Sequence, residues 1–297
     1  MFSFCISSNQ FHLDFYRIFP YYISMTNEHI VSEGTYIPLP LDQFPDIPDQ
    51  PMFNPKIVRH VELDGNYPFL DKSFKMRFWN FLIYAGIFIL VFPIHRIRYG
   101  LKFKGKEHIR KNKKLFADGA MTVCNHVYKW DYLAILQAVK FRRMWFPARG
   151  ANMNGTDAGL IRKVGGIPIP ENMSGLRKFK EAFDELHAKK KWIHIFPESC
   201  RWEWYEPIRP FKLGSFSMAV RYKLPIIPMA ITYRKPTGIY KLLGVKHPLT
   251  TVNIGEPILP DENLLRKDAA LKLLKETHQS VCRLAGIEKN GWDALGD

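Results

Sequence analysis

The chain has 297 residues, with 43 Lys or Arg against 28 Asp or Glu, and its formal net charge is +15. A hydrophobic content of 46% excludes a disordered chain, the lack of a repeat excludes a collagen-like one, and a mean hydropathy of −0.19 argues against many membrane spans. Four dispersed cysteines exclude a disulfide scaffold and are typical of a reducing compartment.

Residues 1–70 are predicted to form an extended N-terminal arm. Seven prolines lie between positions 38 and 68, and such a density blocks both helices and central strands. The first 24 residues lack the basic start and the long apolar run of a signal peptide, and Met25 opens a more polar segment. We therefore expect an arm that precedes the folded part of the chain.

A membrane-anchoring helix is predicted within residues 71–99. The 17 residues Phe78–Ile94 are apolar except for Asn80, and basic residues flank them on both sides. As a helix they would cover about 25 Å, which is less than the ~30 Å hydrocarbon core. Either a full span or a half-inserted, re-entrant helix at the cytoplasmic face fits this length. A buried core helix is disfavoured because a polar stripe is missing.

Residues 100–297 are predicted to be the catalytic domain, of the α/β class. Helical spacing alternates with strand-like apolar runs, which argues for a mixed, largely parallel sheet flanked by helices, after the N-terminal membrane-associated segment. The runs are 121–124, 144–147, 192–196, 226–233 and 251–254. An amphipathic helix is expected after residue 260.

The excess of positive charge indicates a polyanionic partner: nucleic acid, anionic lipid or a phosphorylated substrate. Its densest cluster, between Lys102 and Lys114, holds seven cations and one acid and follows the apolar segment. We expect this cluster to contact a lipid membrane with anionic headgroups. Nucleic acid is disfavoured, because no nucleic-acid-binding motif appears.

The most informative motif follows the strand that ends at Cys124. Asn125 and His126 come next, and Asp131 begins a predicted helix. Five residues apart on one helix, His126 and Asp131 would not share a face, but they can meet if the histidine lies on the preceding loop. A carboxylate on one ring nitrogen leaves the other free to take a proton from a hydroxyl. By itself, the pair is also what a helix cap beside a surface histidine would give.

Three later segments occur in an order that resembles a known family. They read Phe-Pro-Glu at 196–198 with Arg201, then Arg-Pro-Phe-Lys-Leu-Gly at 209–214, then Pro225 and Pro228. With the Asn-His and Asp motif, they are similar to the blocks of the 1-acyl-sn-glycerol-3-phosphate acyltransferases and related glycerolipid acyltransferases. The resemblance spans about residues 100–260 and is more specific than any single block.

The resemblance implies a role for each matching residue. His126 resembles the catalytic base and Asp131 its orienting carboxylate. Pro225 and Pro228 resemble a block that shapes the acyl pocket. The implied substrate-binding residues are Asn125, Gly166, Arg177, Glu198, Arg201, Arg209 and Lys212.

Two departures from the family pattern concern the acceptor. The family has Gly and Thr where this chain has Ser199 and Cys200, and Ser199 fits only if its φ is ordinary. Glu171 stands where the family has an arginine, and Arg177 is a candidate to replace it. The acceptor is therefore either a lysophospholipid such as lysophosphatidate or a lipid without phosphate.

The leading hypothesis is a membrane-associated enzyme that moves a fatty acyl group from acyl-CoA or acyl carrier protein to a lysolipid hydroxyl, with no metal and no cofactor beyond that co-substrate. A transacylase that uses a phospholipid donor is an alternative. A basic membrane-binding module without catalysis is another. Among the other residues, we expect His194, Cys124 and Cys200 to be interior. The aromatics Trp202, Trp204 and Tyr205 are expected either to line an acyl tunnel or lie at the lipid interface, or to form a lid or core cluster.

Overall fold

The structure is a computed structural model that describes residues 43–288 and positions 36, 38, 290 and 292. A seven-stranded sheet forms its centre. The strands are β1 (Lys102–Lys104), β2 (Met121–Cys124), β3 (Met144–Ala148), β4 (Gly166–Pro168), β5 (Trp192–Ile195), β6 (Ile226–Arg234) and β7 (Leu249–Ile254). They lie in the order β1-β7-β6-β2-β5-β3-β4, so β2, which leads to His126, is the central strand.

The predicted fold class is confirmed, because neighbouring strands are parallel except for the antiparallel pair β6–β7. The five predicted strands are present with small shifts at their ends. The sequence reading missed β1 and β4, which have three residues each and lie at the two edges of the sheet. Strands this short give almost no alternating pattern.

Helices cover both faces of the sheet. Their bounds are α1 (Phe74–Gly86), α2 (Phe92–Arg98), α3 (Lys106–Lys111), α4 (Asp131–Ala138), α5 (Ala158–Lys163), α6 (Met173–Ala188), α7 (Leu213–Arg221), α8 (Ile239–Leu242) and α9 (Arg266–Ala285). One apolar cluster joins α2 and α4 to one face of the sheet, and a second joins α6, α7 and α9 to the other. The ends of the strands, where the loops leave the sheet, are therefore not covered by these helices and are open for a site.

Helices α1 and α2 are joined by a π-helical turn, Ile87–Val91, into one continuous helix, Phe74–Arg98, called here the anchor helix. It is long and apolar enough to cross a membrane, because an 18-residue window within it has a mean hydropathy of 1.8. Only 17% of that window is buried. Asn80 faces the domain, within hydrogen-bond distance of the Lys163 carbonyl (3.1 Å) and the Arg143 guanidinium (2.8 Å). The apolar side chains on the other side are exposed.

The described part of the predicted arm, residues 43–70, packs on the domain. The ring of Phe44 stacks on Trp202, with 5.9 Å between centroids. The Val58 amide donates to the Asn154 carbonyl at 2.9 Å, and the Gln50 carbonyl accepts from the Trp202 indole at 2.7 Å. Residues 1–35 of the arm lie outside the described residues.

Candidate functional site

The loop after β2 carries the candidate site. The β2 strand lies between the parallel strands β5 and β6, so the loops that follow β2 and β5 meet at one edge of the sheet. Asn125 is buried, and its side chain bonds the backbone of Ile231 twice, at 3.1 Å to the carbonyl and 2.8 Å from the amide. Asn125 therefore fixes where the loop leaves the sheet, and a contact with substrate stays a prediction.

The His126 ring lies on this loop and meets Asp131, the first residue of α4. The distance from His126 Nδ1 to Asp131 Oδ2 is 2.6 Å, and the same oxygen accepts the Val127 amide at 3.0 Å. The Asp131 side chain is 1% exposed, whereas that of His126 is 24% exposed. The spacing of the motif predicts this arrangement, and it leaves Nε2 of His126 as the nitrogen that can reach a substrate.

Phe196, which follows β5, supports one face of the His126 ring. The two rings stack at 4.1 Å with an interplanar angle of 15°. His194, two residues earlier, is fully buried and bonds the Thr122 hydroxyl through Nδ1 at 2.8 Å. Burial, with a smaller contribution from His126, lowers the pKa of His194 to about 3, so it stays uncharged at neutral pH. His194 is thus interior, as predicted.

The two expected interior thiols are also buried. Cys124 and Cys200 are free cysteines with less than a tenth of their surface exposed. Burial raises the pKa of the Cys124 thiol well above its ordinary value. A thiol in that state is a poor nucleophile, so His126 is the better candidate for the reacting group at this loop.

Glu198 and Arg209 form a buried ion pair beneath the loop. The distance from Arg209 Nη2 to Glu198 Oε2 is 2.7 Å, and the side chains are 0% and 2% exposed. Glu198 also accepts the His126 amide at 3.2 Å, and Arg209 donates to the Pro48 carbonyl at 2.8 Å. Their charged groups are buried and bonded within the protein, where they hold the loop after β2 in place. A contact of either residue with substrate stays a prediction.

Ser199 departs from the expected ordinary backbone. Its φ is +68°, which lies in the left-handed region that favours glycine. The turn is closed by a bond from the Ser199 amide to the Phe196 carbonyl at 3.1 Å. The family's glycine at this position therefore has a conformational reason, and Ser199 adopts the same conformation at a cost in free energy.

Replacing Ser199 with glycine should raise the free energy of unfolding by about 1 kcal/mol, because a left-handed backbone costs a residue with a Cβ about 1–2 kcal/mol. Urea denaturation followed by tryptophan fluorescence measures this change. The matched control is Ser215→Gly within α7, where glycine should destabilise by about 0.5–1 kcal/mol. Equal effects of the two substitutions would contradict the assignment of strain to Ser199.

The remaining predicted site residues are dispersed. Arg201 lies beside the arm, with its guanidinium 5.0 Å from the centre of the Phe53 ring, and Lys212 pairs with Asp49 at 2.7 Å. Arg177 is exposed on α6, 3.9 Å from Glu181. The acyl-pocket candidates are both buried: Pro225 directly precedes β6, and Pro228 lies within it. Gly166 begins β4, so it lies at the amino ends of the strands, away from His126. Their contacts with substrate stay predictions.

Sequence reasoning missed two supports of the loop after β2. The Tyr128 ring stacks on Trp204 at 5.2 Å, and its hydroxyl lies 3.2 Å from Nε2 of His95 in the anchor helix. The Trp204 amide donates to the Val127 carbonyl at 2.7 Å. Of the roles weighed for the three aromatics, a core cluster is the one seen for Trp202 and Tyr205, which are buried together with Phe44. Trp204 is only partly buried and packs against a different cluster.

A third missed residue is Arg149, at the carboxyl end of β3. If the registers of β2, β5 and β3 are continued, Asn125 and Arg149 both come level with Pro197. Strands lie about 4.8 Å apart, so the backbones of Arg149 and Asn125 are about 10 Å apart along the same edge. Arg149 could have been identified from the sequence by its position just after a predicted strand.

Among the described residues, no group of three His, Cys, Asp or Glu side chains lies close enough together to hold a metal ion. The comparison with protein families agrees with the chemistry of the loop. A family model described as acyltransferase matches residues 100–232. A solved structure that the chain resembles is the crystal structure of the 1-acyl-sn-glycerophosphate (LPA) acyltransferase PlsC from Thermotoga maritima. The identity is 19%, the TM-score is 0.39, and the match covers 71% of this chain and 84% of that one.

Proposed function

We propose that the chain is an O-acyltransferase, as the match of residues 100–232 to the acyltransferase family model supports. It would transfer a fatty acyl group from a thioester to the hydroxyl of a lysophospholipid at a membrane surface. The observation that carries this proposal is the 2.6 Å contact between His126 Nδ1 and the buried carboxylate of Asp131. It holds the ring with Nε2 as the proton acceptor.

In the proposed reaction, Nε2 of His126 removes the proton of the acceptor hydroxyl as its oxygen attacks the thioester carbonyl. The tetrahedral intermediate then collapses, the carbon–sulfur bond breaks, and His126 returns the proton to the departing thiolate. Asp131 supports the imidazolium throughout. The donor that we propose is acyl-CoA or acyl carrier protein, and the reaction needs no acyl-enzyme.

An acceptor phosphate would need cations near His126. Arg149 follows β3 at the same edge of the sheet as Asn125 and His126, and its side chain is partly exposed. Arg201 follows β5 and is 23% exposed, with Nε unpaired among the described residues. A guanidinium is well suited to phosphate because of its planar fork. These two arginines support a phosphate-headed acceptor even though Glu171 replaces the expected arginine.

The experiment that tests the function is an acyl-transfer assay with labelled acyl-CoA and a panel of lysolipids, in which mass spectrometry identifies the product. Transfer to lysophosphatidate in the absence of any phospholipid donor supports the proposal. Transfer only when a phospholipid is added would instead indicate a transacylase. The absence of transfer to every acceptor, from either donor, would contradict the proposed activity.

We further propose that the anchor helix lies along the membrane surface on the cytoplasmic side. Its first half touches the domain where the Tyr84 hydroxyl donates to the Val164 carbonyl at 2.8 Å. Its second half does so at His95, 3.1 Å from the Gln137 amide. A helix of 25 residues is about 37 Å long. With both halves against one domain, it could not carry one end to the other side of a bilayer.

The exposed side of the anchor helix continues into α8. The Tyr240 hydroxyl donates to the Ile97 carbonyl at 2.8 Å, which ties α8 to the end of the anchor helix. Leu242 and Leu243 are 85% and 71% exposed there. The basic cluster from Lys102 to Lys114 follows directly, and most of its cations are exposed. Apolar side chains beside exposed cations fit a helix at headgroup depth.

Cysteines placed at both ends of the anchor helix should react equally with a membrane-impermeant maleimide added outside sealed vesicles, because both ends lie on one side. The two substitutions are Lys75→Cys and Lys102→Cys, each in a chain with Cys5→Ser. Mass spectrometry measures the labelled fraction before and after the vesicles are dissolved. A helix that spans the bilayer would protect one of the two positions until detergent is added.

A further inference from the structure

A basic cavity lies at the amino-terminal ends of the strands, on the opposite side of the sheet from the loop that carries His126. Its volume is about 410 Å³. Arg143 and Lys191, which line it, directly precede β3 and β5, and Gly166 begins β4, so the cavity lies at the amino ends of these strands. His126, in contrast, follows the carboxyl end of β2. The first turns of α1 form one wall of the cavity, through Met76 and Asn80.

The lining of this cavity has an excess of positive charge. It contains two acids, Asp71 and Glu185, and six cations: Lys72, Arg77, Arg143, Arg162, Lys189 and Lys191. Glu185 already pairs with Lys72 and with Lys189, at 2.6 Å each. Among the described residues, four of the cations form no ion pair with an acid: Arg77, Arg143, Arg162 and Lys191. The Arg162 guanidinium donates to the carbonyls of Pro68 and Phe69, which leaves three cations without such partners. The cavity therefore has cations available for an anion.

Arg143 is held in place inside the cavity. Its guanidinium lies 5.1 Å from the centre of the Tyr84 ring and 4.8 Å from that of Trp145. Its Nε is buried and has no hydrogen-bond partner among the described residues. A guanidinium with a free donor, kept in one place by aromatic rings, is well suited to bind a phosphate.

The helix that walls the cavity, α1, carries exposed apolar side chains on its other side. Phe74 and Phe78 stack at 6.5 Å and are 84% and 49% exposed. An anion that binds in the cavity would therefore lie within one helix diameter, ~10 Å, of an apolar surface. A soluble phosphate has no apolar part that could cover that surface, whereas the acyl chains of a phospholipid could cover it.

We propose that this cavity binds the headgroup phosphate of an anionic membrane phospholipid, whose acyl chains lie along the exposed side of α1. The volume suits a phosphate with its glycerol, since small-molecule pockets begin at about 300 Å³. This lipid is bound apart from the site of acyl transfer and orients the domain on the membrane. The proposal rests on the proposed membrane association of the anchor helix, and it does not depend on catalysis.

The first test is vesicle flotation of full-length His126→Ala protein, which cannot consume lipid by the proposed reaction. The cavity variant is Arg77→Gln with Lys191→Gln, which leaves Arg143 and its contact with Asn80 intact. Its affinity for vesicles of phosphatidylcholine and phosphatidylglycerol should fall about 30-fold, at ~1 kcal/mol per cation. The control, Lys267→Gln with Lys275→Gln on α9, makes the same charge change on exposed lysines and should lose less than about twofold.

The second test locates the lipid. A phosphatidylglycerol with a photoreactive headgroup should cross-link to residues 69–80 and 143–145, as read by mass spectrometry, and unlabelled phosphatidylglycerol should compete. Cross-links confined to other segments would overturn the proposal. Inorganic phosphate or glycerol phosphate that competes equally well would also overturn it, since the site would then take a soluble anion.

The outcomes of these tests distinguish a failure of the cavity proposal from a failure of the proposed membrane association. If the protein fails to float with any vesicle, the membrane association fails and the cavity proposal with it. If both double variants float like the parent protein, the cavity proposal alone is overturned. Neither result bears on acyl transfer, which the lysolipid assay measures separately.

Discussion

Replacing His126 with alanine should lower the rate of acyl transfer by about 10²–10⁴-fold while the protein stays folded, because a positioned general base contributes that much. His126 is partly exposed, and its ring bonds to Asp131 and stacks on Phe196. Its removal takes one partner from the buried Asp131 carboxylate. That carboxylate still accepts a hydrogen bond from the Val127 amide. The measurement is kcat with labelled acyl-CoA and the best lysolipid.

The control for this substitution is His60→Ala, an exposed histidine on the arm, which should leave kcat unchanged. Asp131→Asn should give an intermediate loss, since the amide still fills the position but no longer supports an imidazolium. Unfolding curves of the three variants show whether the fold is kept. A folded His126→Ala protein with near-normal kcat would refute the role of this histidine as the base.

Replacing Glu198 with alanine should lower the free energy of unfolding by about 3–5 kcal/mol, the usual cost of leaving one charge of a buried pair without its partner. The charge left behind is that of Arg209, which is fully buried. The same change removes the carboxylate that accepts the His126 amide at 3.2 Å. We therefore expect loss of stability and loss of activity together, measured by urea denaturation and by the transfer assay.

Glu262→Ala is the matched control, since it removes the same side chain from an ion pair with Lys223 in which both partners are more than half exposed. Exposed pairs contribute about 0–1 kcal/mol, so stability should barely change. If Glu198→Ala costs no more than Glu262→Ala, the buried pair does not support the loop. Full activity of a stable Glu198→Ala protein would lead to the same conclusion.

The relation of His126 to Asp131 could be predicted from sequence because it is local. A strand, a short loop and a helix start fix both residues within six positions, and the structure places Nδ1 and Oδ2 2.6 Å apart. The central strands were predictable for a related reason, since they are buried on both faces and read as apolar runs. The α/β fold class could be predicted because these strands alternate with segments of helical spacing.

The roles of Glu198 and Arg209 could not be read in the same way. Motif order shows that charged residues follow a strand, but it does not show whether their charges face solvent or each other. Eleven residues separate the two, and only the folded chain brings Nη2 and Oε2 to 2.7 Å. Arg149 was missed for the opposite reason: it belongs to no motif, and only the register of three strands brings it to the same edge as His126.

The proline-rich segment before the anchor helix has a consequence for how this enzyme is divided. The Pro48 carbonyl bonds the Arg209 guanidinium, and the Gln50 carbonyl bonds the Trp202 indole. The family model matches the chain only from residue 100. A protein shortened to that boundary would lose the two acceptors that satisfy these buried donors. The stretch that supplies partners to the buried side chains of the domain thus reaches further toward the N-terminus than the stretch that the family model matches.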